Sequence, residues 1–270
     1  MRIGNKCFNT SKECYIMGIL NVTPDSFSDG GKWNDLEKAK WRVRDMIDEG
    51  AAIIDVGGES TRPGYKQITI QEEIERVVPI IEMIKRNFDI PVCIDSYKSQ
   101  VVEAALKAGV DMVNDIWGFK YDAKIAELVA KYQVPCCIMH NREKAEYRDF
   151  LKEVIEDLEE SIKIAQKAGV LEDKIIVDPG IGFGKTYEQN LSMMHHLEIL
   201  KKWGYPILLA ASRKSVIGNT LELPTDQRVE GTIATTVIGM QKGASFVRVH
   251  DIKENMRAIK MAQAILNFNE

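Results

Sequence analysis

The sequence predicts an α/β protein, a (β/α)8 TIM barrel, and three observations predict it. Eight short apolar runs recur along the chain, amphipathic stretches of helical period separate them, and a glycine closes five of those stretches. The strand candidates are residues 15–20, 52–56, 92–94, 111–113, 136–139, 175–177, 207–210 and 246–249. Each is short and mostly apolar, as strands buried on both faces of a parallel sheet must be. Between them, a set such as Ile74, Val77, Val78, Ile81 and Ile84 puts one apolar stripe on a helix, which then covers the outside of the sheet. Gly50, Gly109, Gly169, Gly204 and Gly243 stand where a left-handed residue ends a helix. Thr69 with Glu72, and Thr186 with Gln189, have capping-box spacing and mark two helix starts. An open doubly wound sheet shares this periodicity, but the count of eight strands favours a closed barrel.

The 270 residues suit a single barrel domain, which takes about 250. With 36 basic and 40 acidic side chains the formal charge is −4, so the electrostatic footprint for nucleic acid or an anionic membrane is missing. No apolar run approaches the ~18 residues of a membrane span, and residues 1–20 carry only the run 15–20. We therefore expect neither signal peptide nor membrane span, and a cytoplasmic protein. The five cysteines contain no C-x-x-C and are expected to be reduced core residues, not a metal or disulfide set.

Polar residues crowd the C-terminal ends of the strand candidates: Asn21, Asp55, Asp95, Asn114, Asp115, His140, Asp178, Ser212, Arg248 and His250. Any one of them reads equally well as a turn or cap residue. As a set on one rim they need a ligand or water to satisfy them, and in a barrel that rim carries the active site.

The loops agree. After the first strand, residues 21–31 form a polar loop holding Phe27, with Pro24 and two glycines at its end. After the second, Gly57 and Gly58 allow close backbone approach, while Thr61 and Arg62 supply anion donors beside Pro63. Asp95 and Asp178 are carboxylates that bind a metal, act as bases or pair with a donor-rich heterocycle. The sixth strand runs into Asp178-Pro179-Gly180-Ile181-Gly182-Phe183-Gly184-Lys185-Thr186, close to the phosphate-loop pattern, yet Pro179 stands where its first glycine belongs. A nucleotide hydrolase is therefore disfavoured. Ser212, Arg213, Lys214 and Ser215 follow the seventh strand, and Arg248 and His250 follow the eighth, where barrels commonly hold phosphate. His195 and His196 are adjacent in a helical stretch and cannot share a face. No G-x-S-x-G nucleophile elbow occurs, so covalent acyl chemistry lacks support.

Taken together, residues 21–31, 58–64, 178–185, 212–215 and 248–251 resemble the dihydropteroate synthase family of pterin-binding enzymes, over nearly the whole chain. The resemblance implies that residues 1–270 are a single pterin-binding barrel domain, a transferase that joins (7,8-dihydropterin-6-yl)methyl diphosphate to 4-aminobenzoate. It implies a pterin pocket of Asp95, Asn114, Asp178 and Lys214, with Met139 and Ile116 packing on the ring. It implies that the diphosphate meets Asn21, Thr61, Arg62, Arg248 and His250, and that Mg2+ takes Asn21 as its protein ligand. The aromatic amine would lie among Phe27, Pro63, Phe183, Lys214 and Ser215. Of these, Asp95, Asp178, Lys214, Arg248 and His250 are implied as catalytic. Sulfonamide inhibition and a homodimer are implied too, and the helix of residues 231–243 with Met256, Ile259 and Leu266 is expected to supply its symmetric face. A pterin-binding methyltransferase domain is the alternative of the same fold, but it has no use for Arg62, Lys214, Arg248 and His250. A non-catalytic binding paralogue has no need to keep Asn21 or Lys214.

Overall fold

In a computed structural model of the chain, residues 1–22, 31–59 and 67–268 are described, with residues 31–35 described by backbone alone. A hairpin of β1 (Arg2–Ile3) and β2 (Lys6–Cys7) opens the chain. The alternation then begins with β3 (Tyr15–Asn21), α1 (Gly31–Glu49), β4 (Ile53–Gly57), α2 (Ile70–Asn87), β5 (Val92–Asp95) and α3 (Ser99–Lys107). It continues with β6 (Met112–Asp115), α4 (Lys124–Tyr132), β7 (Cys136–Met139), α5 (Phe150–Ala168), β8 (Ile175–Asp178) and α6 (Tyr187–His195). It closes with β9 (Ile207–Leu209), α7 (Ser215–Leu221), α8 (Val229–Gln241), β10 (Ala244–Val249) and α9 (Ile252–Leu266). Strands β3 to β10 pair in parallel, and β10 pairs with β3, so the sheet is the closed barrel the sequence predicts. No helix among the described residues is long and apolar enough to cross a membrane.

Two apolar layers hold it. The larger lies between strands and helices and contains Val77, Ile81 and Ile84 of the predicted α2 stripe. The smaller fills the barrel: Met17, Ile53, Cys93, Met112, Cys137, Ile176, Leu208 and Phe246, one from each strand, form a single cluster. Side chains alternate across a strand, so the next inward position lies two residues further along each strand. This rule builds the site described below.

The hairpin is too short to show in the periodicity of the sequence. Its signal is the two-residue Gly4-Asn5 link, with Gly4 at φ +58, a backbone that turns of this kind require. The hairpin and the segment after it carry Ile3 and Phe8 into the interior cluster, where Phe8 meets Tyr15 and Phe246 at ring distances of 4.9 and 5.7 Å. The barrel floor is thereby closed. Of the cysteines, Cys14, Cys93, Cys136 and Cys137 are buried as expected, and burial pushes the Cys14 thiol up to about 12. Cys7 is exposed on β2, a correction to the core reading. The five predicted helix-ending glycines all have positive φ. Thr186 and Gln189 make the full capping box, but Thr69 makes half of one: Glu72 turns its carboxylate to Arg76, four residues on, instead of back to the cap.

Behind β4 and β5 lies a buried ionic triad. Lys98 Nζ donates to Glu59 and to Glu73, each at 2.7 Å, and to the Ile68 carbonyl at 3.1 Å. Glu59 also accepts from the Tyr97 hydroxyl at 2.5 Å and from the Ile68 N–H at 2.9 Å, and Ser96 donates to Glu73 at 2.7 Å. Hydrogen bonds from Tyr97, Lys98 and the Ile68 backbone hold the Glu59 carboxyl below its ordinary range despite burial. One cation serves two buried anions, so its removal strands both. Lys98→Met is expected to lower unfolding free energy by about 3–5 kcal/mol in urea titrations. A loss below about 1 kcal/mol would show that the carboxylates are relieved by water or by protonation.

Candidate active site

Moving two residues up each strand from the interior apolar layer gives Ile19, Asp55, Asp95, Asn114, Met139, Asp178, Ala210 and Arg248. The barrel thus changes from apolar to charged within one pleat. Arg248 lies at the centre of the change. Its Nε donates to Asp55 Oδ2 and its Nη2 to Asp95 Oδ2, both at 2.5 Å. Asn114 Nδ2 donates to the other Asp95 oxygen at 3.3 Å. Asp55 Oδ1 is the one buried side-chain polar atom without a partner among the described residues. One guanidinium therefore faces two buried carboxylates. Burial pushes the Asp95 carboxyl up to about 7, the Arg248 charge opposing and the Asp55 charge reinforcing the shift.

Across the mouth, Asp178 accepts from the Gly180 N–H at 2.7 Å and is itself raised by burial, with Lys214 opposing. Lys214 precedes α7; its Nζ donates to the Ile181 carbonyl and lies 4.6 Å from the Phe183 ring centre. Burial lowers it to about 8, with Asp178 pulling back up. The turn 178–185 depends on its glycines. Gly180, Gly182 and Gly184 have φ of +69, +83 and +52, and a Cβ on Gly180 would lie 1.9 Å from the His140 carbonyl oxygen.

Between these charged groups is a small apolar patch. Tyr97, Ile116 and Met139 are buried together, with Trp117 and Phe183 against them. Ile116, Met139 and Phe183 were expected; Tyr97 and Trp117 were not. Both follow a strand end by two residues, a position that scanning the strand ends for polar residues passes over.

Other rim residues separate into their own roles. Asp115 accepts from the Trp117 and Phe119 N–H groups at 2.8 Å each, which makes it the anchor of a turn. Arg213, at φ +57, is paired with Asp251, so of the adjacent cations only Lys214 faces the mouth. Ser212 bonds His250 Nδ1 at 3.0 Å and accepts from the His250 N–H at 3.2 Å, which fixes the imidazole beside the eighth strand of the barrel. Asn21 ends β3, and a Cβ on Gly57 would lie 3.8 Å from Asn21 Oδ1 and 3.7 Å from Asp95 Oδ2. Ser215 is exposed at the start of α7. Phe27, Thr61, Arg62 and Pro63 lie outside the described residues. Asp55 was seen in the sequence as a rim residue only. Its inward register, shared with Asp95, was the available signal.

The arrangement offers carboxylate and amide partners to the edge of a flat, donor-rich ring, an apolar floor for its face, and cations nearby for an anion. Comparison with known proteins agrees. A family model described as pterin binding enzyme matches residues 17–250. A dihydropteroate synthase of Clostridium beijerinckii is 60% identical over 267 residues, covering 98% of this chain and 99% of that protein. The solved structure of a dihydropteroate synthase from Clostridium difficile, in the presence of pteroic acid, superposes with a TM-score of 0.94 at 50% identity, covering 97% and 100% of the two chains. That of Yersinia pestis, in complex with a sulfonamide drug, gives 0.92 at 36% identity, covering 99% of each.

In the ligand-free protein Asp95 is expected to titrate near pH 7, read by 13C-carboxyl NMR against an Asp95→Asn control. Its carboxyl is protonated below that pH and ionised above it. A midpoint near the ordinary value of about 4 would mean that Arg248 outweighs burial.

Proposed function

The chain belongs to the pterin-binding enzyme family, among its dihydropteroate synthases, and we propose how its barrel mouth joins a dihydropterin to an aromatic amine. The observation that carries the reading is the pairing of a polar ring, Asp95, Asn114, Asp178 and Lys214, with the apolar patch of Tyr97, Ile116 and Met139. The N–H donors of an aminopyrimidinone edge suit the Asp178 carboxylate, and the Asn114 amide both donates and accepts. Lys214 donates to the ring carbonyl or a ring nitrogen. Met139 and Ile116 pack on the ring face.

In the reaction the bond from the pterin methylene to diphosphate breaks, and its electron pair leaves with the diphosphate. The amine nitrogen of 4-aminobenzoate then bonds to the methylene carbon and releases one proton to solvent or to the diphosphate. The slow step requires no general base. It requires stabilisation of separated charge: Asp95 and Asp178 face the cationic pterin, while Arg248 and His250 act toward the diphosphate. Arg248 is already held by Asp55 and Asp95, so it reaches the diphosphate as part of a preorganised group. Thr61 and Arg62 add donors from the loop after β4. The amine is bound among Phe183, Lys214, Pro63, Phe27 and Ser215, the site at which sulfonamides compete.

The resemblance also implies Mg2+. Among the described residues no cluster of three His, Cys, Asp or Glu side chains suits a metal held by protein alone. A single amide oxygen, Asn21 Oδ1, beside the side-chain-free Gly57 suits an ion that keeps its waters and binds chiefly to phosphate oxygens. Asn21 would hold it, and its charge would offset that of the departing diphosphate.

A homodimer and a cytoplasmic location complete the reading, with a correction to the proposed contact face. Ile259 is buried in the core, so it cannot contribute. Leu266 is 53% exposed, as the expected face requires, and the helix of residues 231–243 also borders an apolar groove with α6 and α7, where Leu191, Leu221 and Ile238 are 40%, 43% and 48% exposed, beside Gly231. Sedimentation of the wild type as a dimer, and of Ile238→Asp as a monomer, is expected. A monomeric wild type would remove the dimer.

The function is tested by mixing the protein with Mg2+, dihydropterin diphosphate and 4-aminobenzoate and measuring diphosphate. Release that depends on the amine and falls at least about 100-fold in Lys214→Ala is expected. No release, with the pterin still bound, would point to the methyltransferase alternative or to a binding protein.

A further inference from the structure

Lys185 is the lysine of the near phosphate-loop pattern, and the mechanism above gives it no task. Its side chain does not point toward an anion. Nζ donates to the Gly180 carbonyl at 3.0 Å and to the Phe183 carbonyl at 3.0 Å, and it meets His140 Nδ1 at 2.7 Å. Burial lowers its pKa to about 7, the Asp178 charge opposing, and in the protonated form the three acceptors take all three N–H bonds. The His140 ring is held neutral, its pKa lowered to about 4 chiefly by burial, so Nδ1 is free to accept while Nε2 donates to Asp157 at 3.0 Å. Asp157 is in turn held by Arg142 Nε at 2.6 Å. A chain of polar contacts thus runs from α5 through His140 and Lys185 into the turn after β8.

That turn carries two groups of the site, Asp178 and Phe183. Other bonds also shape their stretch of chain: the Phe183 N–H donates to the Gly180 carbonyl at 3.1 Å. The Gly182 N–H donates to Asn190 at 2.6 Å, the Gly184 carbonyl accepts from Tyr147 at 2.6 Å, and the Ile181 carbonyl accepts from Lys214. The three glycines supply no side chain to pack. Among the described residues only Lys185 ties the carbonyl of Phe183 itself, and it ties the Gly180 carbonyl in the same grip.

We propose that Lys185 is a positioning residue for the second substrate: its amino group pins the Phe183 backbone to the His140–Asp157 pair, and so fixes the Phe183 ring where the aromatic amine docks. The inference rests on the functional reading above. Asp178 has its own hold on the turn through the Gly180 N–H, so the pterin side depends less on Lys185. A merely structural lysine would affect both substrates alike.

Steady-state kinetics on the holoenzyme with Mg2+ separate these cases. Lys185→Met is expected to raise the KM for 4-aminobenzoate about tenfold and that for dihydropterin diphosphate less than about twofold, with Lys185→Arg recovering part of the loss. In a Phe183→Leu background the same substitution should add less than about twofold, because the group it positions is gone. Equal rises in both KM values, a fall in kcat alone, or additive effects in the double variant would overturn the proposal. Circular dichroism checks that Lys185→Met folds. If it does not, Asp157→Asn weakens the chain from its outer end and should raise the KM for 4-aminobenzoate severalfold. No change in that KM would overturn the proposal. A wild type that releases no diphosphate is a different result, visible before any variant is compared, and removes the functional reading and this one together.

Discussion

One guanidinium shared by two buried carboxylates sets the character of this barrel mouth. Arg248 reaches Asp55 and Asp95 from β10 across to β4 and β5, and it does so where the interior changes from apolar to polar. Without Arg248 two carboxylates would lie buried in apolar surroundings, which folded proteins avoid by protonation or pairing. With it, the anions are held at fixed positions but are not fully neutralised. In the proposed reading, a pterin that becomes cationic meets the residual demand for charge at Asp95. Preorganised, incompletely compensated charge stabilises a transition state without reorganisation during the reaction.

The apolar layers place this cluster. One inward residue per strand fills the barrel below it, and the next inward residue emerges into the mouth. Such register is unforgiving, since a one-residue slip in any strand turns its polar group outward. The rest of the rim supports the fixed groups: Asp115 holds a turn, Arg213 is paired with Asp251, and His250 is seated by Ser212. The Glu59–Lys98–Glu73 triad stabilises the backbone just beyond β4 in the same way.

Much of this was legible in the sequence. The eight strands, the glycines that end helices and the polar crowding at strand ends needed only periodicity and the chemistry of the residues. Where the reading failed, its unit was too local. Asp55 and Asp95 are both aspartates at strand ends, and only the alternation of side chains, applied to all strands at once, shows that they share one cation. Lys185 stood out only within the rejected phosphate-loop pattern and was given no role, because spacing alone does not reveal that a side chain folds back on its own turn. The hairpin was missed because two-residue strands show no periodicity, and only the Gly4-Asn5 link marks them.

That hairpin also bears on how a ligand reaches the interior of the barrel. With Ile3 and Phe8 sealing the floor, the barrel is a cup with one opening, and the mouth serves for both entry and exit. In the proposed reading a pterin held by Asp95 and Asp178, at the strand ends, is covered by an amine held beside Phe183 and Lys214, on the loops beyond them. A product joined from the two would span both levels and block the bottom until it left.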